Sequence, residues 1–536
     1  MTLKSPIQNL YHQFFLKFSP TTISLCLIGL FVFITGNTTF FEKVLNYYPV
    51  NWQNLSFLIS LFVFFTLSTI LFIQIIALIK IEKWMSVLMV FISAVSAFYM
   101  DAYGVIIDDI MIHNMVLTDS NEVAGLISSE FILRVVCLAI IPSVLIFKYF
   151  PKPLAYATEI KSRLLIILVL LVSMTVIALA SYGQFSHFWR EQRLVRFHAN
   201  PTYPTYSFFK YIKKGIAADK AVAPKITITD AVKSHSTKRN LYIFVVGETA
   251  RADRFSLNGY NRLTNPLLSK EKVISFTNVK SCATSTSESL PCMFSILNAD
   301  KYKRDKALAL ENSLDILNKQ GVKVLWRDNN SDSKGVALRV QYEDFKTPTM
   351  NPKCDAECRD TGMLSGLDAF IQKNSQQDIL IVLHQLGNHG PEYYRRYTEE
   401  FKKFQPICLD GYLRNCSQQE IDNGYDNAIL YTDYFLTETI HFLKKYSPTY
   451  NTGMLYVSDH GESLGENGVY LHAAPVANAP KEQTHVPAIL WLGDDSKRNL
   501  NQFEPYKNKQ LSHDAIFCTL LSAFDIQTKA CPIQLN

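Results

Sequence analysis

The stretch LYIFVVGETAR, at residues 241–251, indicates the fold class of the second half of the chain. Its first six residues, Leu241–Val246, form a continuous apolar run, which is typical of a strand buried on both faces of a parallel sheet. Similar patterns predict three more strands and two intervening helices: strands at 322–326, 379–384 and 454–458, and helices at 306–319 and 424–446. This alternation predicts an α/β/α domain with a mostly parallel sheet.

Polar side chains follow three of these strands. The run at 241–246 leads to Glu248, the strand at 379–384 ends in His384, and the last strand leads directly to Asp459 and His460. Ligands of such sheets bind beyond the carboxyl ends of the strands. Carboxylate and imidazole groups suit Zn²⁺ or Mn²⁺. Any one of these residues alone is typical of a buried structural hydrogen-bonder, but together they predict a metal site.

A run of hydroxyl residues supplies candidate nucleophiles. Ser281–Pro291 reads SCATSTSESLP and precedes the apolar run Met293–Leu297, a pattern that predicts the start of a helix. The positive end of a helix dipole and a nearby metal ion both favour an ionised hydroxyl. Capping of the helix is the alternative role. The residues alone leave four candidates open, namely Thr284, Ser285, Thr286 and Ser287.

The chain has ten cysteines, and eight of them form close-spaced pairs in the second half. These pairs are Cys282 and Cys292, Cys354 and Cys358, Cys408 and Cys416, and Cys518 and Cys531. An even count in such pairs indicates disulfides and an oxidising compartment. A zinc ribbon requires CxxC-like pairs, and none of these spacings fits. Sequential pairing is our hypothesis, although spacing alone does not fix the connectivity.

Apolar residues make up 48% of the chain and crowd its first third. Five stretches there are long enough to cross a bilayer, which takes roughly 20 helical residues. They lie near 21–41, 54–80, 84–101, 131–150 and 163–181. The preceding segment, Met1–Pro20, is amphipathic and has no small-residue cleavage site after it, so we interpret the first stretch as a retained helix. The sequence thus predicts a membrane domain of five transmembrane helices.

The distribution of basic residues predicts the orientation of these helices. Segments 1–20, 80–83 and 148–163 carry eight Lys or Arg residues, whereas the alternate loops 37–53 and 102–130 carry one. The positive-inside rule therefore places the amino terminus inside and everything after the fifth helix outside. The net charge of +6 is spread along the chain without a basic block, which argues against a nucleic-acid partner.

The predicted domains are a transmembrane domain at 1–181, a periplasmic bridging linker at 182–238 and a periplasmic catalytic domain at 239–536. Three arginines of the linker alternate with aromatic residues, at Arg190, Arg193 and Arg196. This pattern is typical of an amphipathic helix lying on the membrane surface. A linker helix packed on the soluble domain would show the same pattern, so both interpretations remain open.

The outer loop 102–130 contains a polar stripe. Asn114, Thr118 and Glu122 recur at every fourth residue, which places them on one face of a helix. Such a stripe at the membrane surface suits contact with lipid headgroups. On periodicity alone, an ordinary solvated face is the favoured interpretation.

Five long motifs resemble the lipid A phosphoethanolamine transferases, which include the mobilised colistin-resistance enzymes and belong to the alkaline phosphatase and sulfatase superfamily. The motifs are VVGETAR at 245–251, SCATSTSESLPCMFS at 281–295, WRDNNSDSKG at 326–335, HQLGNHGPEYYRRY at 384–397 and SDHGESLGENGVYLHAAP at 458–475. The resemblance covers nearly the whole chain. It implies five membrane helices, a bridging segment and an α/β/α domain like that of alkaline phosphatase.

The resemblance also implies roles for individual residues. The family's metal ligands fall on Glu248, Thr286, Asp459 and His460, and its nucleophile falls on Thr286, four residues after Cys282. Its contacts to the substrate phosphate and to a second metal fall on Asn330, Lys334, His389 and His472. Glu462 matches an acidic residue near the metal, and Asn114, Thr118 and Glu122 match positions near the lipid substrate. The pairs Cys282–Cys292 and Cys408–Cys416 match family disulfides, whereas Cys354–Cys358 is more tightly spaced.

The activity implied by the resemblance is zinc-dependent transfer of phosphoethanolamine from phosphatidylethanolamine to a phosphate of lipid A. The resemblance further implies a covalent phosphoethanolamine-threonine intermediate and one tightly bound Zn²⁺, with room for a second. It also implies a monomer in the bacterial inner membrane. Such transfer lowers the negative surface charge and favours colistin resistance. The alternative is transfer to a core sugar, or of phosphoglycerol. A sulfatase is disfavoured because the C-x-P-x-R or S-x-P-x-R signature is absent around the hydroxyl run.

Overall fold

The computed structural model describes residues 18–117, 120–218, 224–234 and 236–531. The chain divides into two compact units: Met1–Ile112 with Ile127–Gly215, and His113–Leu126 with Ile216–Asn536. Residues 182–215 of the predicted linker thus belong to the same unit as the apolar helices. The segment 1–17, which holds most of the predicted amphipathic amino terminus, lies outside the described residues.

The described residues from 18 to 218 are mostly helical. The helices are α1 (Pro20–Gly36), α2 (Thr38–Tyr47), α3 (Trp52–Ile76), α4 (Glu82–Tyr103), α5 (Asp109–Leu117), α6 (Ser120–Gly125), α7 (Ser129–Val135), α8 (Ile141–Tyr149), α9 (Tyr156–Ala180), α10 (Tyr182–Glu191), α11 (Arg193–Arg196) and α12 (Thr202–Ala218). A π-helical turn, Val136–Ile140, joins α7 to α8.

Four helices within the described ranges are long and apolar enough to cross a membrane. They are Trp52–Ile79, Glu82–Tyr103, Ser129–Tyr149 and Tyr156–Ala180. The pair α1 and α2, bent by 62°, gives a fifth span if the two helices count as one. The structure therefore contains four or five candidate spans where the sequence predicts five.

The first predicted span, 21–41, is broken at Asn37. Its side-chain nitrogen donates to the carbonyls of Phe33 and Asn200, at 3.0 and 2.8 Å. Its side-chain oxygen accepts from the backbone N–H of Asn200, at 2.9 Å. A buried amide satisfied in this way stabilises the break between α1 and α2. Hydropathy does not detect such a bend, because its polar contacts come from a residue far along the chain.

Helix α10 packs through aromatic side chains. Phe185 and Phe188 are buried in a cluster that includes Phe57 and Phe65 of α3. Their ring centroids lie 5.6 Å (Phe57–Phe185) and 6.3 Å (Phe65–Phe188) apart, distances typical of aromatic pairs. This face of α10 packs within the first unit. The sequence suggested either a helix on the membrane surface or a helix packed on the soluble domain, and neither interpretation predicts this packing.

The second unit is built on an eight-stranded sheet. The strands of the chain are β1 (Val232–Lys233), β2 (Asn240–Gly247), β3 (Val273–Lys280), β4 (Val322–Asp328), β5 (Gln341–Asp344), β6 (Asp378–His384), β7 (Asn451–Ser458), β8 (Ser463–Leu464), β9 (Tyr470–Leu471), β10 (His485–Leu492), β11 (Leu511–Ser512) and β12 (Ile526–Gln527). The order in the large sheet is β11-β3-β10-β7-β2-β6-β4-β5. Only β10 in this sheet is antiparallel to its neighbours. The predicted mostly parallel sheet is confirmed.

After β3, the α-helices of this unit are α13 (Thr286–Met293), α14 (Arg304–Leu308), α15 (Ser313–Lys319), α16 (Leu367–Lys373), α17 (Gln418–Lys444), α18 (Lys481–Thr484) and α19 (Ile516–Ala523). The helix predicted at 306–319 is instead the separate pair α14 and α15. The reason is a capping box, in which the side chains of Asn312 and Asp315 bond each other's backbone N–H and begin a new helix. The helix predicted at 424–446 begins earlier, since α17 starts at Gln418.

Side chains on both faces of β2 are buried, as its apolar run predicts. Leu241, Ile243 and Val245 belong to a core cluster that also contains residues of α17. Tyr242, Phe244 and Val246 belong to a second cluster that contains residues of α15 and α19. The parallel strands point their carboxyl ends to one edge of this buried sheet, where the polar strand-end residues gather.

Four disulfides lie in the second unit. They join Cys282 to Cys292, Cys354 to Cys358, Cys408 to Cys416 and Cys518 to Cys531. Cys26 and Cys137 are free.

Replacing Ser417 with Ala should destabilise the second unit by about 1 kcal/mol. Ser417 caps α17 by accepting from the Glu420 backbone N–H, and the Glu420 carboxylate accepts from the Ser417 N–H in return. Denaturant unfolding followed by circular dichroism measures the effect. Ser417→Thr, which keeps the capping oxygen, should stay close to wild type; equal losses in both variants would contradict the capping role.

Candidate active site

Two carboxylates and one imidazole meet at the edge of the sheet where the parallel strands have their carboxyl ends. Glu248 follows β2, while Asp459 and His460 follow its neighbour β7. One potential ligand atom from each residue lies within 4.8 Å of the others, and all three side chains are fully buried. Nε2 of His460 is 3.4 Å from Oε1 of Glu248 and 3.4 Å from Oδ2 of Asp459. The structure thus brings together three of the predicted metal ligands.

Thr286 brings a hydroxyl to this cluster. It is the first residue of α13, and its Oγ1 lies 3.1 Å from Oε2 of Glu248 and 3.3 Å from Nε2 of His460. Thr284 instead donates to the carbonyl of Ala474. The Ser287 hydroxyl donates to Oδ1 of Asn114. The sequence alone left four hydroxyl residues as candidate nucleophiles. Among the contacts described for them, those of Thr286 reach the cluster.

The backbone beside Glu248 is held in an unusual conformation. Thr249 has a φ of 48°, a left-handed value that is costly for a non-glycine residue. Its N–H lies 3.3 Å from Oδ1 of Asp459, and its carbonyl accepts from the Tyr425 hydroxyl at 2.6 Å. Gly387, with a φ of 55°, passes so close that a Cβ there would lie 2.9 Å from the Glu248 carbonyl oxygen. These contacts fix the direction of the Glu248 side chain.

The electrostatics of the cluster favour a bound cation. His460 donates through Nδ1 to the Gly461 carbonyl at 2.9 Å, so the lone pair of Nε2 faces two carboxylates. Oδ2 of Asp459 is buried and accepts no hydrogen bond from the described residues. Burial raises the pKa of Asp459 to about 6 and lowers the pKa of His460. A divalent cation would ligate these lone pairs and offset the cost of burying them. The donor set therefore fits a metal ion.

Asn330, a predicted phosphate contact, bonds a predicted metal ligand. Its buried side-chain nitrogen donates to Oε2 of Glu248 and to the Gln385 carbonyl, each at 2.7 Å. Lys334 is also buried, and its ammonium group donates to the Ser331 carbonyl at 2.8 Å. Asn330 is thus placed to orient the Glu248 carboxylate, a contact that the sequence did not indicate.

Two of the predicted phosphate contacts are histidines next to His460. The ring centroid of His472 lies 4.5 Å from that of His460 and 5.2 Å from that of His389. Nδ1 of His472 is 2.8 Å from Oε2 of the buried Glu462. The Tyr393 hydroxyl donates to the other oxygen of Glu462, at 2.9 Å. Glu462 thereby fixes the orientation of the His472 ring, and Tyr393 is a contributor that motif spacing did not identify.

The predicted lipid-contact residues are only partly described. Asn114 in α5 accepts the hydrogen bond from Ser287, next to the candidate nucleophile. Glu122 lies in α6. Thr118 lies outside the described residues.

His384, one of the strand-end residues expected at the metal site, does not belong to the cluster and pairs instead with Asp328, which was not among the predicted site residues. Nδ1 of His384 lies 2.9 Å from Oδ2 of Asp328, which also accepts from the indole N–H of Trp326 at 2.8 Å. Burial opposes ionisation of Asp328, but His384 and these hydrogen bonds hold its pKa below the ordinary value. Asp328 ends β4 at the same edge as Glu248, so the strand-end rule contained the signal for it.

Comparisons with known proteins agree with this geometry. Residues 240–526 match the sulfatase family, which defines the class of the second unit, and residues 64–216 match the family described as phosphoethanolamine transferase EptA/EptB. The chain is 42% identical to phosphatidylethanolamine transferase Mcr-1 of Escherichia coli, over 93% of this chain and 94% of that protein. It is 33% identical to phosphoethanolamine transferase EptA of E. coli K12, over 94% of each.

A solved structure extends the likeness across both units. The integral membrane lipooligosaccharide phosphoethanolamine transferase A (EptA) of Neisseria meningitidis matches with a TM-score of 0.90 and 32% identity, over 94% of this chain and 96% of that one. The chain belongs to the phosphoethanolamine transferase family. The resemblance inferred from the motifs is confirmed.

Replacing Asp328 with Asn should destabilise the protein by about 3–5 kcal/mol, because it breaks a fully buried pair with His384. The pKa of Asp328 is lowered in the folded state. The full decrease in unfolding free energy should therefore be seen at neutral pH, and the decrease should become smaller as the pH falls toward that pKa. Thermal and denaturant unfolding at several pH values measure it.

Asp344→Asn is the matched control. Asp344 is the register partner of Asp328 on β5, but about half of its side chain is exposed. A loss at Asp328 no larger than the loss at Asp344 would contradict the stabilising role of the buried pair.

Proposed function

We propose that this chain transfers phosphoethanolamine from phosphatidylethanolamine to a phosphate of lipid A, at the periplasmic face of the bacterial inner membrane. The contact of Thr286 Oγ1 with both Glu248 and His460 is the observation that carries the proposal. The names of two relatives support the substrates: Mcr-1 is a phosphatidylethanolamine transferase, and the Neisseria protein acts on lipooligosaccharide.

Glu248, Asp459 and His460, with the Thr286 hydroxyl, would hold a Zn²⁺ ion. When bound, the ion acts as a Lewis acid that favours the ionised form of a nearby hydroxyl. Four ligands that donate through oxygen or imidazole nitrogen are typical of zinc sites. Asn330 donates to Glu248 and keeps one carboxylate oxygen oriented, as outer hydrogen bonds do in metal sites.

In the first step, the Thr286 oxygen attacks the phosphorus of phosphatidylethanolamine. A bond forms between Oγ1 and phosphorus as the bond from phosphorus to the diacylglycerol oxygen breaks. Oγ1 gives up its proton, and the departing diacylglycerol oxygen takes one up. Thr286 is the first residue of α13. The backbone N–H groups of the first helical turn therefore point toward the phosphoryl group attached to Oγ1 and stabilise the charge on its oxygens.

His472 and His389 are placed to serve the phosphoryl group and the departing oxygen. Because Nδ1 of His472 is paired with Glu462, Nε2 is the ring atom left for the substrate. His389 donates through Nδ1 to the Gly390 carbonyl at 2.7 Å, which fixes the orientation of its ring beside His472. Both rings retain some exposure, unlike His460, so the substrate approaches from their side.

In the second step, an oxygen of a lipid A phosphate attacks the phosphorus carried by Thr286. The new oxygen–phosphorus bond forms as the bond to Oγ1 breaks, and the threonine hydroxyl regains a proton. Donor and acceptor thus use one site in turn, with phosphoethanolamine held on the protein between the two displacements. The membrane helices raise the effective concentration of both lipids.

Thr286→Ala should reduce transfer by at least about 10⁴-fold, since the attacking oxygen is removed. Mass spectrometry of wild-type protein incubated with donor alone should show phosphoethanolamine on Thr286. Ser287→Ala, one residue away, should retain the label on Thr286. A label on another residue, with Thr286 unmodified, would overturn the assignment.

Removing the metal should abolish transfer, and adding Zn²⁺ should restore it. Glu248→Gln should lower bound zinc, measured by elemental analysis of the purified full chain, because a neutral amide is a poorer ligand than a carboxylate. Glu438→Gln, on the exposed face of α17, should retain the wild-type zinc content. Full activity in metal-free protein would end the metal proposal.

A further inference from the structure

His513 connects the two parts of the active site. It directly follows β11, the edge strand that runs parallel to β3. The candidate nucleophile follows β3 in the chain, whereas the candidate metal ligands Asp459 and His460 follow β7. Strand β10 separates β3 from β7 in the sheet, so these two strand ends share no direct backbone ladder.

The imidazole of His513 bonds both strand ends. Its Nδ1 accepts from the backbone N–H of Cys282 at 3.2 Å, and its Nε2–H donates to the backbone carbonyl of Ser458 at 3.0 Å. The ring is 1% exposed. With one nitrogen accepting and the other donating to a carbonyl, the hydrogen bonds select the neutral tautomer protonated at Nε2. Burial lowers the pKa of His513 to about 4, so the ring is neutral at physiological pH.

The bond to Ser458 acts on the metal side of the site. The peptide unit between Ser458 and Asp459 has its carbonyl held by His513. Its N–H donates to the Gly247 carbonyl at 2.9 Å. Both ends of this peptide are therefore fixed immediately before the Asp459 carboxylate.

The bond to Cys282 acts on the nucleophile side. The turn from Cys282 to Thr286 is also tied within its own side of the site, by the Cys282–Cys292 disulfide and by the bonds of Thr284 to Ala473 and Ala474. The Ser281 hydroxyl donates to the Ala283 carbonyl at 2.7 Å. The Ser281 N–H donates to the carbonyl of Thr484, the residue immediately before β10. His513 thus adds a link from this turn across β10 to β7. It acts beside the hydrogen bond from the Ser289 hydroxyl of α13 to the Asp459 carbonyl at 2.6 Å.

We propose that His513 is a positioning residue that sets the distance between the Thr286 hydroxyl and the Asp459 carboxylate. The inference rests on the proposed function, because it assigns these two groups to the nucleophile and the metal. A neutral ring performs this task without adding positive charge beside a cation site. None of the motifs quoted from the sequence includes His513, since its role depends on a strand pairing that the sequence did not predict.

Two substitutions separate the two bonds. In His513→Asn the amide oxygen can replace Nδ1 and accept from Cys282, but no donor reaches Ser458. In His513→Gln the amide nitrogen can replace Nε2 and donate to Ser458, but the bond from Cys282 is lost. His485→Gln is the matched control, because His485 lies at the same edge and its Nε2 bonds the Thr277 carbonyl of the neighbouring strand, away from both strand ends of the site.

Each variant has its own expected effect in full-length protein. His513→Asn should weaken zinc binding by about 10–100-fold in competition with a chelator, because Asp459 loses its support. His513→Gln should bind zinc within about threefold of wild type but form phosphoethanolamine-Thr286 about 10–100-fold more slowly, with KM for phosphatidylethanolamine nearly unchanged. His485→Gln should match wild type in both measurements.

Wild-type zinc affinity and labelling rate in both His513 variants would overturn the proposal, and so would equal losses of zinc affinity in the two. Failure of wild-type protein to label Thr286 would instead defeat the proposed function, while the zinc measurement would still test His513. Where a variant unfolds, NMR of histidine-labelled wild type decides: a ring protonated at Nε2 alone, as the two hydrogen bonds require, supports the proposal, and a ring protonated at Nδ1 overturns it.

Discussion

Two carboxylates, an unprotonated ring nitrogen and a threonine hydroxyl converge in a fully buried space at the end of the sheet. Nε2 of His460 lies 3.4 Å from an oxygen of Glu248 and 3.4 Å from an oxygen of Asp459, an arrangement of lone pairs that costs free energy unless a cation lies among them. A protein retains such a cost where function requires it. In the proposed mechanism, a cation that relieved this repulsion would also favour the ionised form of the Thr286 hydroxyl.

The rest of the second unit holds these groups in place. Glu248 and Asp459 follow adjacent parallel strands, so the sheet itself sets their separation. The left-handed Thr249 and the close passage of Gly387 fix the direction of the Glu248 side chain. Around this centre, polar groups act on the cluster through hydrogen bonds: Asn330 on Glu248, and Glu462 on a neighbouring histidine. The site is therefore preorganised by backbone geometry and by buried hydrogen bonds.

The sequence predicts the centre of this site better than its surroundings. The apolar run at 241–246 and the polar residues after it carry both the strand and the site, because parallel strands end at one edge. The antiparallel β10 and the edge strand β11 were not predicted. Pairing between strands more than 200 residues apart in the chain leaves no local periodicity, and the role proposed for His513 depends on such a pairing. Likewise, the break at Asn37 depends on a contact with Asn200.

The central claim is that one cation binds among Glu248, Thr286, Asp459 and His460. Anomalous diffraction at the zinc absorption edge, from crystals of the full-length protein grown with Zn²⁺, tests this most directly. We expect the strongest anomalous peak within bonding distance of all four side chains, about 2.0–2.2 Å from the coordinating oxygens and nitrogen. The absence of a peak there, or a strongest peak elsewhere in the chain, would contradict the account.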